Sequence, residues 1–442
     1  MAGSVFDSPI FARLFPTGEA GRLFTDSAEL RAMLLVEGML AKVQGELGII
    51  PQDSAFFIQR SAMEVQIDPA GLAGATGQNG VSVPGLVAAF AKAMEAPGHS
   101  QYIHWGATSQ DIIDTGLMLR LRQLLALCET DLRAILAALG TQALAQADTP
   151  MAGRSWGQQA TLTSFGAQCA EWGNPLADLL EELPALRDGA LWVSLSGAAG
   201  TAGALGEKAG ETRAALARAL TLADPGRSWH ADRGPVLRIA AWLARVNAAL
   251  GKLGTDLVAL AQSGIAEVSS GPAGASSTMP QKQNPVAASA LVALARQSGG
   301  LMATLQDGAM HAHQRDGAAW FAEWLALPQL CLGAASALTI ARTACDGLVP
   351  DPVAMMAAGA DPLGLIHAEA LSFALAARMP RPEAQAAVKS LCGEARATGQ
   401  PLALLAHRAQ PDLDLSSVFD PGTQMGQAPA LARGFAAQVA GL

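Results

Sequence analysis

Between two strongly apolar stretches lies the run Val268-Ser269-Ser270-Gly271-Pro272-Ala273-Gly274-Ala275-Ser276-Ser277-Thr278-Met279-Pro280, followed by Gln281-Lys282-Gln283-Asn284-Pro285. Small polar residues and glycines leave many backbone N–H groups exposed, and Lys282 and Asn284 come at alternate positions just before the next apolar segment. Such a unit can surround a carboxylate with N–H groups, a hydroxyl and an ammonium ion. The plainer reading is a connecting loop, where Ser and Gly are expected in any case.

Other polar clusters interrupt apolar surroundings. In His104-Trp105-Gly106-Ala107-Thr108-Ser109-Gln110-Asp111, Thr108, Ser109 and Asp111 have the chemistry of helix N-caps. The same hydroxyls could face an anion at the positive end of the helix they open. Asn79 stands among glycines, where it either serves a turn or offers its amide to a ligand. Arg154-Ser155-Trp156-Gly157-Gln158-Gln159 and His311-Ala312-His313-Gln314-Arg315-Asp316 are the remaining clusters. His311 and His313 lack HxxxH spacing and a third ligand, so the pattern does not point to a metal. His230 reads as a hydrogen-bonded structural residue. No Rossmann fingerprint, P-loop or GxSxG elbow is present.

Composition limits what these clusters could serve. The formal charge is −9 from 29 basic and 38 acidic residues, with no concentrated basic stripe, which argues against nucleic acid as a partner. One or two local Arg or Lys residues can still bind a small anion. Mean hydropathy is +0.26, yet no uncharged run of about 20 strongly apolar residues is evident, so no membrane span is expected. The first residues lack the basic head and apolar run of a signal peptide. Five scattered cysteines without CxxC spacing suit a reducing compartment, and the cytoplasm is the default expectation.

Long helices must carry the clusters. Half the residues are hydrophobic, only 5% are aromatic, and 46 are Gly, so helix backbones can pack closely. Leu117, Leu121, Leu124, Cys128, Leu132, Ile135 and Leu139 recur every three or four residues, predicting a helix from about Thr115 to Ala147. Val236 to Leu260 repeats the pattern, and a third helix is expected from Pro285 past Leu301, with Pro in its first turn. An earlier helix is expected over Ser27–Leu47, opened by Asp26 or Ser27. Gly71–Gly85 reads as a turn-rich loop. Prolines from 350 onward divide the end into small helices. The organisation predicted is an N-terminal helical domain over 1–110, a long-helix bundle over 111–345 and a small helical domain over 346–442. The Ala-rich stripes suggest self-association.

The segment Ala275-Ser276-Ser277-Thr278-Met279-Pro280-Gln281-Lys282-Gln283-Asn284-Pro285 resembles the signature Gly-Ser-Ser-x-x-Met-Pro-x-Lys-x-Asn of the fumarase/aspartase superfamily, with one x before Met here. His104–Thr115 (HWGATSQDIIDT) supports the resemblance. Within the superfamily the chain is most similar to the bacterial 3-carboxy-cis,cis-muconate cycloisomerases, through the His104–Asp111 block, Gly153-Arg154-Ser155-Trp156, Ser228-Trp229-His230-Ala231-Asp232-Arg233 and Trp320-Phe321-Ala322-Glu323-Trp324. Lyases of the group usually carry a catalytic His where Trp156 stands. The resemblance implies an all-α, three-domain fold with a central long-helix bundle, a homotetramer, active sites shared between subunits, and neither metal nor organic cofactor.

It also implies a lactonising reaction on 3-carboxy-cis,cis-muconate in aromatic (protocatechuate) degradation. The alternatives are a 3-sulfomuconate substrate, a lyase of the argininosuccinate/adenylosuccinate type, or a silent scaffold of the same fold. By resemblance, Ser276 transfers the proton with Ser277 as its neighbour, and Lys282 and Asn284 hold the carboxylate that gathers charge. Thr108 and Ser109 bind a second carboxylate and Arg315 a third acidic group, with Asn79, His104, Arg154, Trp156 and Gln158 as further substrate contacts. Run backwards, lactonisation expels a carboxylate, whose reference pKa near 4 lets it leave unprotonated. An amine or hydroxide would need a general acid. Trp156, and Gln159 where His is frequent, therefore suit lactone chemistry. Ala275, Gln281 and Gln283 also depart from the usual Gly, His and Arg, which bears on the substituent rather than the fold.

Overall fold

A computed structural model of the chain describes residues 3–270, 274–275, 279, 281–359 and 361–442. Ser276 and Ser277 lie outside the described residues. The described chain is all-α in character. Its strands are short antiparallel pairs: Pro150–Ser155 with Gln158–Ser164, Val268–Ser270 with Leu348–Pro350, and Gly274–Ala275 with Gln283–Asn284. The long helices are Ser109–Ala145, Phe165–Ala190, Gly234–Leu260, Val286–Asp307 and Gly317–Asp346. All seven residues of the stripe from Leu117 to Leu139 are buried. Each such side chain contributes roughly 1.5–3 kcal/mol of burial free energy, which is why a helix with little else in its favour holds together.

Contacts divide the chain into two compact units. Unit one comprises Met1–Asp131, Leu179–Ala248 and Ala293–Ile340. Its core joins Met33, Leu40, Ile58, Leu86 and Phe90 to Trp320. Here the helices Asp26–Glu46 and Gln52–Glu64 pack with their backbones close together, because small residues meet: a Cβ built on Gly38 would lie 2.8 Å from that of Ala62, and one on Gly45 would overlap Ala55. Unit two comprises Leu132–Asp178, Ala249–Val292 and Ala341–Leu442. Its short C-terminal helices close over Leu371, Leu375, Leu402 and Ala406. The 150–164 hairpin packs Ala152 and Leu162 on Ile366, Met425 and Ala428.

Several sequence expectations are corrected. The first long helix starts at Ser109, ahead of the apolar period that is clear from Thr115 and within the cluster read as N-caps, because Asp111 reaches back to the Thr108 N–H at 2.9 Å and supplies half of a capping box. The Asp26–Glu46 helix is capped by Thr25, whose hydroxyl accepts from the Ala28 N–H, rather than by Asp26 or Ser27. Gly71–Gly85 is not a turn-rich loop: a 3-10 turn at Pro69–Leu72 and helices Ala73–Asn79 and Val83–Met94 cover most of it. Burial of Leu72 and Val83 overrides the weak helix propensity of glycine there. Pro285 is a residue earlier than expected, before the Val286–Asp307 helix, accepting from the Ser289 N–H through its carbonyl. The 150–164 hairpin was not legible as strands.

By length and composition, Val286–Asp307 and Gly317–Asp346 would each be long and apolar enough to cross a membrane. The second buries 67% of its most apolar window in the protein and so behaves as a core helix, whereas the first buries only 28%. The five cysteines are unpaired, four of them buried and Cys392 half-buried. Burial pushes the Cys128 and Cys345 thiols up to about 12, and Cys169 and Cys331 upward likewise.

Candidate active site

In unit one the first turn of the Ser109–Ala145 helix is the organising point. Thr108 precedes it, and its hydroxyl accepts a hydrogen bond from Arg315 Nη1 at 2.9 Å across 207 residues of sequence. Arg315 is exposed. It is placed by its neighbour Asp316, which caps the Gly317–Asp346 helix through the N–H groups of Ala318 and Ala319 and also holds the Ala312 N–H. These N–H bonds hold the Asp316 carboxyl below its ordinary range. A guanidinium and a hydroxyl at a helix N-terminus form an anion-binding arrangement. Ser109, half-buried, opens the same helix.

Asp111 fixes this turn from below. It is fully buried and accepts five hydrogen bonds: from His230 Nε2 at 2.8 Å, Ser194 Oγ at 3.0 Å, and the N–H groups of Ser196, Gly197 and Thr108 at 2.9 Å. His230 is thus the hydrogen-bonded structural residue its sequence suggested. One turn on, Asp114 shares the Arg233 guanidinium with Glu323 through four bonds of 2.7–3.0 Å. Burial works against the Arg233 charge, but Asp114 and Glu323 outweigh it and raise its pKa. Burial drives the Glu323 carboxyl upward despite Arg233. None of Asp111, Asp114, Arg233 or Glu323 was singled out from sequence as a site residue.

His104 sits in a left-handed turn with φ 62°, and its Nδ1 lies 2.7 Å from Glu37 Oε1. Asn79 ends the Ala73–Asn79 helix and is exposed, with Gly80 at φ 72° as its cap. No hydrogen bond joins Asn79 to Thr108, His104 or Arg315 among the described residues. His311 keeps both ring nitrogens buried without a hydrogen-bond partner among the described residues. Burial, then Arg233, lowers its pKa, so the ring is neutral at pH 7.

Unit two carries the other predicted residues. The hairpin turns at Trp156 and Gly157, with φ 54° and 72°, a two-residue left-handed pair suited to hairpin twist. Trp156 is 100% exposed at this tip, and Gln158 is exposed beside it. Arg154 spends its fork on buried Glu267, at 2.7 and 2.8 Å. That hydrogen-bonded pairing raises the arginine pKa further. Glu267 immediately precedes the strand Val268–Ser270, so the pair ties the hairpin to the base of the serine-rich segment. Gln159 donates to the Ala358 carbonyl at 2.7 Å. Lys282 is exposed, with its backbone N–H on the Met279 carbonyl at 3.0 Å, and Asn284 pairs in register with Gly274. Among the described residues, no cluster of three or more His, Cys, Asp or Glu could hold a metal.

The sequence profile described as Lyase matches residues 22–300. A 3-carboxy-cis,cis-muconate cycloisomerase of Pseudomonas aeruginosa is 37% identical over 433 residues, covering 95% of this chain and 94% of the relative. A nitrosuccinate lyase of Streptomyces davaonensis is 34% identical over 428 residues, covering 92% and 90%. The crystal structure of the 3-carboxy-cis,cis-muconate lactonizing enzyme from Pseudomonas putida superposes with a TM-score of 0.91 at 33% identity, covering 98% of this chain and 99% of that one. With its long-helix architecture and these likenesses taken together, the chain belongs to the fumarase/aspartase superfamily and is closely related to the 3-carboxy-cis,cis-muconate cycloisomerases within it.

Proposed function

We propose that the chain is a cofactor-independent cycloisomerase that closes 3-carboxy-cis,cis-muconate to its lactone. The relationship supports an enzyme of the lyase/isomerase type acting by cycloisomerisation. The observation that carries it is Trp156, fully exposed at the hairpin tip where lyases of the superfamily usually present a His. An indole cannot protonate an amine or hydroxide leaving group, and a carboxylate leaving group does not need it to.

In this reading a carboxylate oxygen adds to a carbon–carbon double bond, and a proton reaches the carbon next to another carboxylate. Ser276, or Ser277 beside it, moves that proton, and Lys282 and Asn284 stabilise the carboxylate that gathers charge. Thr108 and Ser109 hold a second carboxylate and Arg315 the third acidic group, the 3-substituent, with Asn79, His104 and Gln158 as further substrate contacts. Arg154 holds the hairpin through Glu267. The active assembly is a homotetramer in which other copies cover the apolar Val286–Asp307 helix, and the reaction takes place in the cytoplasm.

The test compares kcat/KM for 3-carboxymuconate, 3-sulfomuconate and unsubstituted muconate, followed by loss of diene absorbance. Preference for the carboxylate is expected, and comparable rates on unsubstituted muconate would remove the role given to Arg315. The 34% identity to a nitrosuccinate lyase favours one second reading, elimination from a succinyl adduct. Fumarate release from such an adduct, without any lactonisation, would select it.

A further inference from the structure

Glu37 lies on the Asp26–Glu46 helix, 1% exposed in an otherwise apolar stretch of Leu34, Val36, Leu40 and Ala41. A carboxylate in such a place is costly unless its oxygens are satisfied. Both are, and both by one residue: Oε1 meets His104 Nδ1 at 2.7 Å, and Oε2 accepts the His104 backbone N–H at 3.1 Å. Seven residues along, on the same face, buried Gln44 donates through Nε2 to the Trp105 carbonyl at 2.7 Å. Two polar side chains of one helix thus grip consecutive residues of the turn that leads to Thr108. The turn needs the grip. His104 has φ 62°, a left-handed conformation uncommon for a residue with a Cβ, and such strain persists only where surroundings over-determine it. Gly106 follows at φ 75°, with no room for a Cβ, which would lie 2.6 Å from Leu205 Cδ2.

The imidazole has one nitrogen engaged and one open. Nε2 has no hydrogen-bond partner among the described residues, and the side chain is 21% exposed. A ring whose Nδ1 faces a carboxylate carries its proton there, the orienting arrangement seen wherever an acid sets a histidine tautomer. We propose that Glu37 is a positioning residue: it holds the His104 ring through Nδ1–H, and so aims Nε2, a donor when the ring is protonated, at the anionic substrate beside Thr108 and Arg315. Sequence reasoning placed His104 at the site and gave it no partner.

The charged groups acting on the ring are Glu37 from the Asp26–Glu46 helix and Asp111 from the Ser109–Ala145 helix. Burial favours the neutral imidazole, but these two carboxylates outweigh it and raise its pKa above the ordinary 6.5. The ring is therefore cationic below a midpoint above 6.5 and donates from both nitrogens. Affinity for an anion is strong below that midpoint and falls as the pH rises through it. The substrate part of this inference rests on the function proposed above; the positioning part does not.

The test uses the full-length protein and two readouts. Hydrogen–deuterium exchange at the imidazole C2 position, read by mass spectrometry across pH, gives the His104 midpoint without any substrate. In the wild type it should lie above 6.5. Glu37→Gln should move it downward, and Glu37→Asp should keep it raised. With 3-carboxymuconate, Glu37→Gln should raise KM about tenfold near pH 7 with kcat changed much less, the mark of lost uniform binding. The pH at which KM climbs should fall with the exchange midpoint. A wild-type midpoint below 6.5 overturns the proposal, and so does a Glu37→Gln protein whose midpoint and KM profile are unchanged. If Glu37→Gln does not fold, the wild-type midpoint and the Asp variant still decide. Shifted midpoints in a protein that turns over no muconate would uphold the positioning and defeat the proposed function.

Discussion

Arg233→Met is the perturbation whose cost can be worked most directly. Arg233, Asp114 and Glu323 have side chains no more than 4% exposed, and the guanidinium makes four bonds to the two carboxylates. Methionine fills similar volume and removes the charge, leaving two acids buried together with no counter-ion. Breaking a buried pair from one side costs about 3–5 kcal/mol, and two carboxylates are stranded here, so the upper end is expected. With a urea slope of about 3 kcal/mol/M the midpoint should fall by roughly 1–1.7 M. The loss should depend on pH in a definite sense. Burial already raises the Glu323 carboxyl above its ordinary 4.5, and Arg233 is the group that pulls it down. A carboxyl raised in the folded state binds protons better folded than unfolded, so stability falls as pH climbs from about 4.5 through the folded value. Without Arg233 that window extends upward, and the deficit should grow from pH 5 to pH 8. The assay is urea unfolding at both pH values for wild type, Arg233→Met, and Arg233→Met combined with Asp114→Leu and Glu323→Leu. The triple variant should recover much of the loss. A deficit below about 1 kcal/mol, or one equal at both pH values, would refute the reasoning.

Arg154→Ala should lower stability by about 3 kcal/mol or more by leaving Glu267 buried without a partner, and an unchanged urea midpoint would contradict the clamp described here. Ser276→Ala should lower kcat by about 10²–10⁴ with little change in KM, as for a proton-transfer residue; near-normal kcat in steady-state assays would move the role to Ser277. Gly45→Ala should cost about 1–3 kcal/mol because its Cβ would overlap Ala55, and a neutral effect in thermal unfolding would show that the helix pair has room to separate. Light scattering should find an assembly of four 45.2 kDa chains, and a fully active monomer would exclude that.

The sequence displayed what repeats or clusters locally. The three-and-four spacing from Leu117 to Leu139 announced a helix because burial acts through that period, and all seven positions are buried. The Lys282–Asn284 segment was conspicuous because its small polar residues interrupt apolar neighbours. The pairing of Thr108 with Arg315 was beyond reach, since 207 residues separate them and neither has a pattern pointing to the other. Glu37, Asp114 and Glu323 escaped for a related reason: each is a single charge satisfied from afar. A signal did exist. Glu37 falls among Leu34, Val36 and Leu40, and Glu323 between Trp320 and Leu327, on faces that otherwise bury apolar side chains. A lone acid on a buried stripe implies a distant cation or donor. The Gly71–Gly85 misreading came from taking glycine density as decisive where buried Leu72 and Val83 were stronger.

The thiols have a practical consequence. Cys128, Cys169, Cys331 and Cys345 are walled in and held protonated by burial, whereas Cys392 is only half-buried on the Arg381–Thr398 helix. Alkylating reagents attack the thiolate and must reach it. In the folded protein a maleimide dye should therefore attach at Cys392, slowly because its own pKa is also raised, while the other four report only on unfolding. The native chain thus carries its own single attachment point for a fluorophore, and the order in which the remaining thiols become reactive during denaturation would show which unit opens first.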